Sequence, residues 1–217
     1  QMHQAFKLTA ESSIEHSIGD YRISVKDGRQ HLHATQGKNA YKSPPYHLQF
    51  TDENDAPLTD GILTFLDIAW PDQEPRRVYM KMVGNTARAR QHLLLVTGQC
   101  GHSYRNLQFY EPLMKNKTGE YIIIHPYDGD KAAPLLKDVT TTDVTDHTKC
   151  SGLMADACWD GDNNNALFGI VLRGDPNIAL KAGFGQVTSG IEVLQDIAKS
   201  SVRDKITVVD CGVVIFW

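Results

Sequence analysis

The chain has 217 residues and a mass of 24.2 kDa, the size of one large domain or of one domain with an extension. Its 22 Lys and Arg against 26 Asp and Glu give a formal charge of -4, which excludes the basic surplus of a general nucleic-acid binder. A hydrophobic content of 41% and a charged content of 22% exclude a wholly disordered chain, and no apolar run approaches the ~20 residues of a membrane-spanning helix. The N-terminus begins at Gln1 without a charged-then-apolar signal pattern. It reads as a processed or excised piece of a longer protein, with an intracellular, cytoplasmic or nuclear setting expected.

Residues 1–58 are polar and histidine-rich. Tyr21–Val25 alternates apolar and polar side chains, the pattern of a half-buried strand. Asp27-Gly28 is a tight-turn pair, and His31–Thr35 supplies a return strand. Lys42–Pro45 breaks regular structure, and Tyr46–Thr51 resumes it. This segment is expected as a β extension, a hairpin packed on a main domain of residues 59–217. There, Ile62–Trp70 and Val78–Met82 read as strands about a Pro71–Pro75 turn. Thr86–Val96 holds neither Gly nor Pro and reads as a helix ended by Thr97-Gly98. Tyr121–Ile124, Ala166–Leu172 and Phe184–Val187 are further strands. Gly190–Lys199 is a second helix, with Ser189 as its expected cap and Glu192 at the capping-box spacing; Ile191, Leu194, Ile197 and Ala198 share one face. Ile206–Val209 and Val213–Phe216 are expected as two closing strands. Many short strands with two helices suit a mainly β barrel or sandwich.

Several segments then resemble the cyclophilins, peptidyl-prolyl isomerases that bind cyclosporin. Thr97-Gly98-Gln99-Cys100-Gly101-His102-Ser103-Tyr104 through Phe109 is similar to the family's T-G-E-x-G-x-x-Y-x-x-x-x-F. Phe65-Leu66-Asp67-Ile68 resembles F-F-D-I. His147-Thr148 with Leu153-Met154-Ala155-Asp156-Ala157 resembles H-T-G-x-G-x-L-S-M-A-N-A. Phe184-Gly185-Gln186-Val187 with Gly190 resembles F-G-x-V-x-x-G, and Asp210-Cys211-Gly212 resembles D-C-G. The order is the family's, from Ile62 to the C-terminus, although Pro112–Asp146 has no residue-by-residue match. The resemblance implies a closed eight-stranded antiparallel barrel with a helix at each open end, residues 1–58 lying outside it.

Rotating an X-Pro bond means crossing a barrier of ~18–20 kcal/mol. An enzyme lowers it by favouring the twisted amide, with a fixed donor for the nitrogen and a pocket for the proline ring. The resemblance implies that an arginine two residues after the conserved phenylalanine is that donor. Here the family F-H-R reads Phe109-Tyr110-Glu111, and an ionised carboxylate accepts hydrogen bonds without donating them. Pro112 follows and removes a strand N–H. The groove positions otherwise read Pro176-Asn177 for a tryptophan-leucine pair, Lys181 for a histidine and Asp156 for an asparagine, while Ala155 and Phe168 match. Phe168 fits either a pocket wall or the barrel filling. Tyr127 or His125 stands near the expected place of the groove glutamine, within the unmatched stretch.

Other signals carry less. Cys100, Cys150, Cys158 and Cys211 contain no C-x-x-C pair, so they read as buried or idle thiols rather than a zinc ribbon, a redox dithiol or a disulfide framework. Asn116-Lys117-Thr118 fits a glycosylation sequon, a triplet common by chance. Asp160-x-Asp162-x-Asn164 opens like a calcium loop but lacks the later Gly and Glu. His31 and His33 would share a strand face, as would Cys100 and His102, but neither pair completes a four-ligand site. No Ser-His-Asp set stands out by spacing.

The expectation is therefore a protein-interaction module without isomerase activity, a pseudoenzyme or scaffold part of a larger protein. It would need neither cofactor nor metal, and would engage no nucleic acid or membrane. Its partner would be a protein or peptide, basic or proline-containing, because Glu111 and Asp156 would make a groove acidic. A weak isomerase using Lys181 or Arg173 as donor is the first alternative, and a self-associating structural domain is the second.

Overall fold

The structure is a computed structural model that describes residues 16–18, 21–26, 29–33, 59–98, 102–109, 112–124, 127–128, 131–132, 147–149, 151–156, 167–180 and 183–215. Alternation sets the first long hairpin, β4 (Leu63–Ala69) and β5 (Arg76–Met82). Leu66 and Ile68 of β4, with Val78, Met80 and Met82 of β5, all enter the core. Asp72, at φ 58, serves the expected turn between them. Helix α1 (Ala87–Thr97) starts at Thr86, whose side chain accepts from the Ala89 N–H, and ends at Gly98 in the left-handed region, which only glycine adopts without strain.

Before these come β1 (His16–Ile18), β2 (Tyr21–Lys26) and β3 (Arg29–His33). After α1 come β6 (Tyr121–Ile124), β7 (Tyr127–Asp128), β8 (Lys131–Ala132), β9 (His147–Lys149), β10 (Leu153–Asp156), β11 (Phe168–Val171), β12 (Asp175–Leu180) and β13 (Gly183–Ser189). Helix α2 (Ile191–Lys199), a 3-10 turn at Arg203–Lys205 and β14 (Thr207–Ile215) complete the described chain. One antiparallel sheet runs β1-β2-β3-β14-β4-β5-β13-β10-β11-β6, while β9–β12 and β7–β8 pair separately. The sheet wraps a single large core to which α1 gives Leu93, Leu95 and Val96, and α2 gives Val193, Leu194 and Ile197. No helix among the described residues is long and apolar enough to cross a membrane.

Several expectations change. Ser189 does not cap α2: it ends β13, and Gly190 is the N-cap at φ 86 with no side-chain bond. A Cβ on Gly190 would stand 2.5 Å from the Arg77 carbonyl oxygen, so the corner is set by a close backbone approach rather than by a capping hydroxyl. The two expected closing strands are one, because Asp210, Cys211 and Gly212 continue the pairing with Asp67, Leu66 and Phe65 after a register shift at Val208–Asp210. Among the described residues the ladder also does not rejoin itself; it ends at β1 and at β6. A run of chain nevertheless links its two sides. Gln108 bridges Thr207 of β14, and Leu113 bridges Tyr121 of β6.

Strands β2 and β3 pair antiparallel, and β3 pairs in turn with β14, Gly212 opposite His33. A Cβ at Gly212 would collide with the Leu32 carbonyl oxygen, so the missing side chain is what lets β3 approach. Within the described residues the return strand runs Arg29–His33, starting two residues before His31, and Ala34 and Thr35 lie outside them. The Asp27-Gly28 turn, Lys42–Pro45, Tyr46–Thr51, Cys100, Cys150, Cys158 and the Asp160–Asn164 stretch lie outside the described residues. Cys211 is buried and free, near the Ser103 hydroxyl at 3.4 Å. Burial pushes its thiol up to about 12, which keeps it protonated and unreactive.

Candidate functional site

Side chains on a strand alternate between its faces, and β10 and β11 show both. Met154 pairs with Ile170, Ala155 with Gly169 and Asp156 with Phe168. Met154, Phe168 and Ile170 join the main core, whereas Leu153, Ala155 and Val171 form a separate cluster. The Phe168 ring lies 5.3 Å from Phe184, 5.6 Å from His92 and 6.0 Å from Tyr104, centroid to centroid. Of the two roles open to Phe168, the structure gives it the filling one. Across from Ala155 stands Gly169, which presents no side chain. The second face at this point is thus small and aliphatic.

The remaining groove candidates are placed by backbone alone or not at all. Phe109 and Pro112 are both buried, and the pair 110–111 between them, with Glu111, lies outside the described residues. Beyond Pro112 only a single bridge forms, at Leu113, as a residue without an N–H next to the pairing would allow. Asp156 ends β10. Pro176 and Asn177 fall in β12 where its register with β9 shifts, between Asp175 opposite Lys149 and Ala179 opposite Thr148. Tyr127 starts β7, and Lys181 and His125 are outside the described residues. Arg173 is engaged elsewhere: its Nε is 3.0 Å from Oε2 of the buried Glu120. Both line a pocket of about 390 Å³ with Lys115, Gln195 and Lys199.

Two polar networks were not legible beforehand. Inside the core, His92 on α1 has Nε2 at 3.1 Å from the Thr64 hydroxyl and Nδ1 at 3.1 Å from the Tyr104 hydroxyl. Complete burial lowers its pKa from 6.5 to about 3, so it is a neutral imidazole that ties α1 to β4 and to Tyr104. The other network lies on the opposite face of β4 and β14, around a cluster of Leu63, Phe65, Val214 and Tyr79. Arg77 meets Asp67 through two bonds of 2.6 Å and lies 4.1 Å above the Phe65 ring. His31 and His33 are buried and set edge-on to that ring at 5.2 and 5.3 Å. Nε2 of His31 is 3.3 Å from the Tyr79 hydroxyl. His33 has Nε2 at 2.7 Å from the Ser24 hydroxyl and Nδ1 at 2.5 Å from Asp210 Oδ2. The other Asp210 oxygen accepts from the Cys211 N–H at 2.9 Å and from Arg105 at 3.3 Å. The expected sharing of one face by His31 and His33 thus holds, but their partners are a serine, a tyrosine and a carboxylate. Among the described residues no three metal-ligating side chains converge.

Neither a family model nor a curated protein matches the chain. Among solved structures it is similar to the crystal structure of the Mimivirus cyclophilin, with a TM-score of 0.54 and 18% sequence identity over 76% of this chain and 95% of that one. The fold is cyclophilin-like.

Proposed function

We propose that the chain is a cyclophilin-like module that binds a peptide or protein partner without isomerising prolines. The observation that carries this reading is Glu111 at the position where the resemblance requires a cationic donor: a carboxylate cannot donate to an amide nitrogen and repels the substrate carbonyl oxygens. Two features of the fold support it. Phe168 is committed to the core and Gly169 stands beside Ala155, so this stretch of the second face offers no aromatic wall for a proline ring. Arg173 has its Nε at 3.0 Å from Glu120, a contact that supports its use away from the groove. The chain from Gln108 to Leu113, tied at its ends to β14 and β6, supports a closed barrel carrying this groove. Glu111 favours a basic segment as the ligand, and an extended peptide along a strand edge is the natural mode of capture.

A proline-peptide isomerisation assay on the purified chain, beside a Glu111→Arg variant, tests the reading. The wild type is expected to match the uncatalysed rate. Clear wild-type turnover inhibited by cyclosporin would establish an isomerase instead. Pull-downs with and without residues 1–58 then locate the partner surface, and light scattering shows whether that partner is a second copy.

A further inference from the structure

We propose that Ser24, His33 and Asp210 form an activated-serine relay able to take an acyl group from a carboxylic ester, at a site separate from the groove. Three adjacent strands build it. Ser24 is on β2, His33 on β3 and Asp210 on β14, and the pairing of β2 with β3 and of β3 with β14 stacks them on one face. The order of contacts is the one that nucleophile activation requires. The hydroxyl meets Nε2 at 2.7 Å, and the carboxylate meets Nδ1 at 2.5 Å. A carboxylate beside Nδ1 favours the tautomer that carries the imidazole proton there, in which Nε2 is the acceptor facing the hydroxyl.

The surroundings differ along the relay. The His33 side chain is 3% exposed and that of Asp210 11%, and Phe65 flanks the imidazole, so the pair interacts away from bulk water. Asp210 is fixed by the Cys211 N–H and Arg105, an orienting arrangement that does not depend on Ser24. Ser24 itself is half-buried and keeps part of its surface open. A half-exposed hydroxyl could be satisfied by water. Its alignment on a buried, carboxylate-oriented imidazole is what a reaction needs and a strand does not.

The step balances without any further cofactor. Ser24 Oγ attacks the ester carbonyl carbon while its proton passes to His33 Nε2. The C–O bond to the alcohol breaks, and the leaving oxygen takes that proton from His33. Water, deprotonated by the same Nε2, then attacks the acyl-serine, releasing the carboxylic acid and returning the proton to Ser24. General-base assistance of this kind is worth about 10²–10⁴-fold.

Incubation of the native chain with a fluorophosphonate probe, followed by peptide mass analysis, tests this. A phosphonyl adduct on the peptide containing Ser24 is expected, formed at least about 100-fold faster than on the same chain unfolded in urea. Ser24→Ala should abolish the adduct, and p-nitrophenyl acetate hydrolysis above buffer should vanish with it, while the far-UV spectrum stays native. Asp210→Asn should slow labelling of Ser24. The proposal is overturned if Ser24 is unlabelled in the native chain, if it labels no faster than in urea, or if Ser24→Ala keeps the adduct. None of these outcomes depends on the isomerase result.

Discussion

His92 offers the sharpest check on how this fold is held. It is neutral in the folded protein down to a pKa of about 3, against an ordinary 6.5, because charging it would strand a cation in the core. The unfolded chain instead takes up a proton there below pH 6.5. The unfolded state therefore binds more protons in acid, and stability falls as pH drops from 6.5 towards 3. At about 1.36 kcal/mol per pH unit, the 1.5 units between 6.5 and pH 5 cost about 2 kcal/mol from this one residue. His92→Gln removes the titration but keeps a side-chain amide to face the Thr64 and Tyr104 hydroxyls. The variant will be less stable at neutral pH, since it loses ring contacts with Phe168 and Phe184. Its stability should nonetheless fall by about 2 kcal/mol less than the wild type's between pH 7.5 and pH 5. Urea midpoints at several pH values read this difference directly. His31, lowered to about 4 by burial and by the nearby Arg77 and His33, acts in the same direction but is common to both proteins and cancels. Equal pH dependence in wild type and variant would refute the assignment of a neutral, buried His92.

The remaining predictions concern close backbone approaches. Gly212→Ala drives a methyl into the Leu32 carbonyl and should cost at least about 1–3 kcal/mol; amide exchange in Arg29–His33 should accelerate more than in β5, and unchanged protection there would show that β3 does not need the glycine. Gly190→Ala meets both a positive φ and the Arg77 carbonyl, a penalty of about 1–3 kcal/mol from conformation alone. Ser189→Ala, by contrast, should shift stability by under about 0.5 kcal/mol. A thermal melt in which Ser189→Ala is the more damaging of the two would restore the serine cap.

What the sequence announced and what it hid divide along physical lines. Helix α1 was legible because its signals are local: an uninterrupted run of helix formers and Gly98 as the stop, with Thr86 as the cap that the structure adds. The cap of α2 was misread for the opposite reason. Ser189 and Glu192 fit a local pattern, but a non-local contact, the Arg77 carbonyl against Gly190, decided the corner. The single long β14 was hidden because Asp210 and Gly212 look like a break until β3 and β4 are seen on either side of them. The Ser24–His33–Asp210 alignment spans nearly the whole described chain, and no spacing rule reaches that far. At the groove, the sequence showed the altered residue types, and only the strand register could show that Phe168 and Ala155 stand on opposite faces.

That alternation also accounts for how a cyclophilin-like fold can stand at 18% identity to a solved structure. On β10 and β11 the core uses Met154, Phe168 and Ile170, and the second face uses Ala155, Gly169 and Val171. A change on one face of a strand leaves the packing of the other almost untouched, because neighbours in sequence share no side-chain contacts across the sheet. Core positions are held by volume, and losing one such as Phe168 would cost about 3–5 kcal/mol, a large part of the whole stability of a domain. Second-face positions are also packed where they are buried, as at Phe65, Ala155 and Val171. They differ in kind, from the small Ala155 and Gly169 pair to the polar network of His31, His33 and Asp210, where β3 lies against β14. The two faces of a strand are thus packed separately, each by its own set of neighbours.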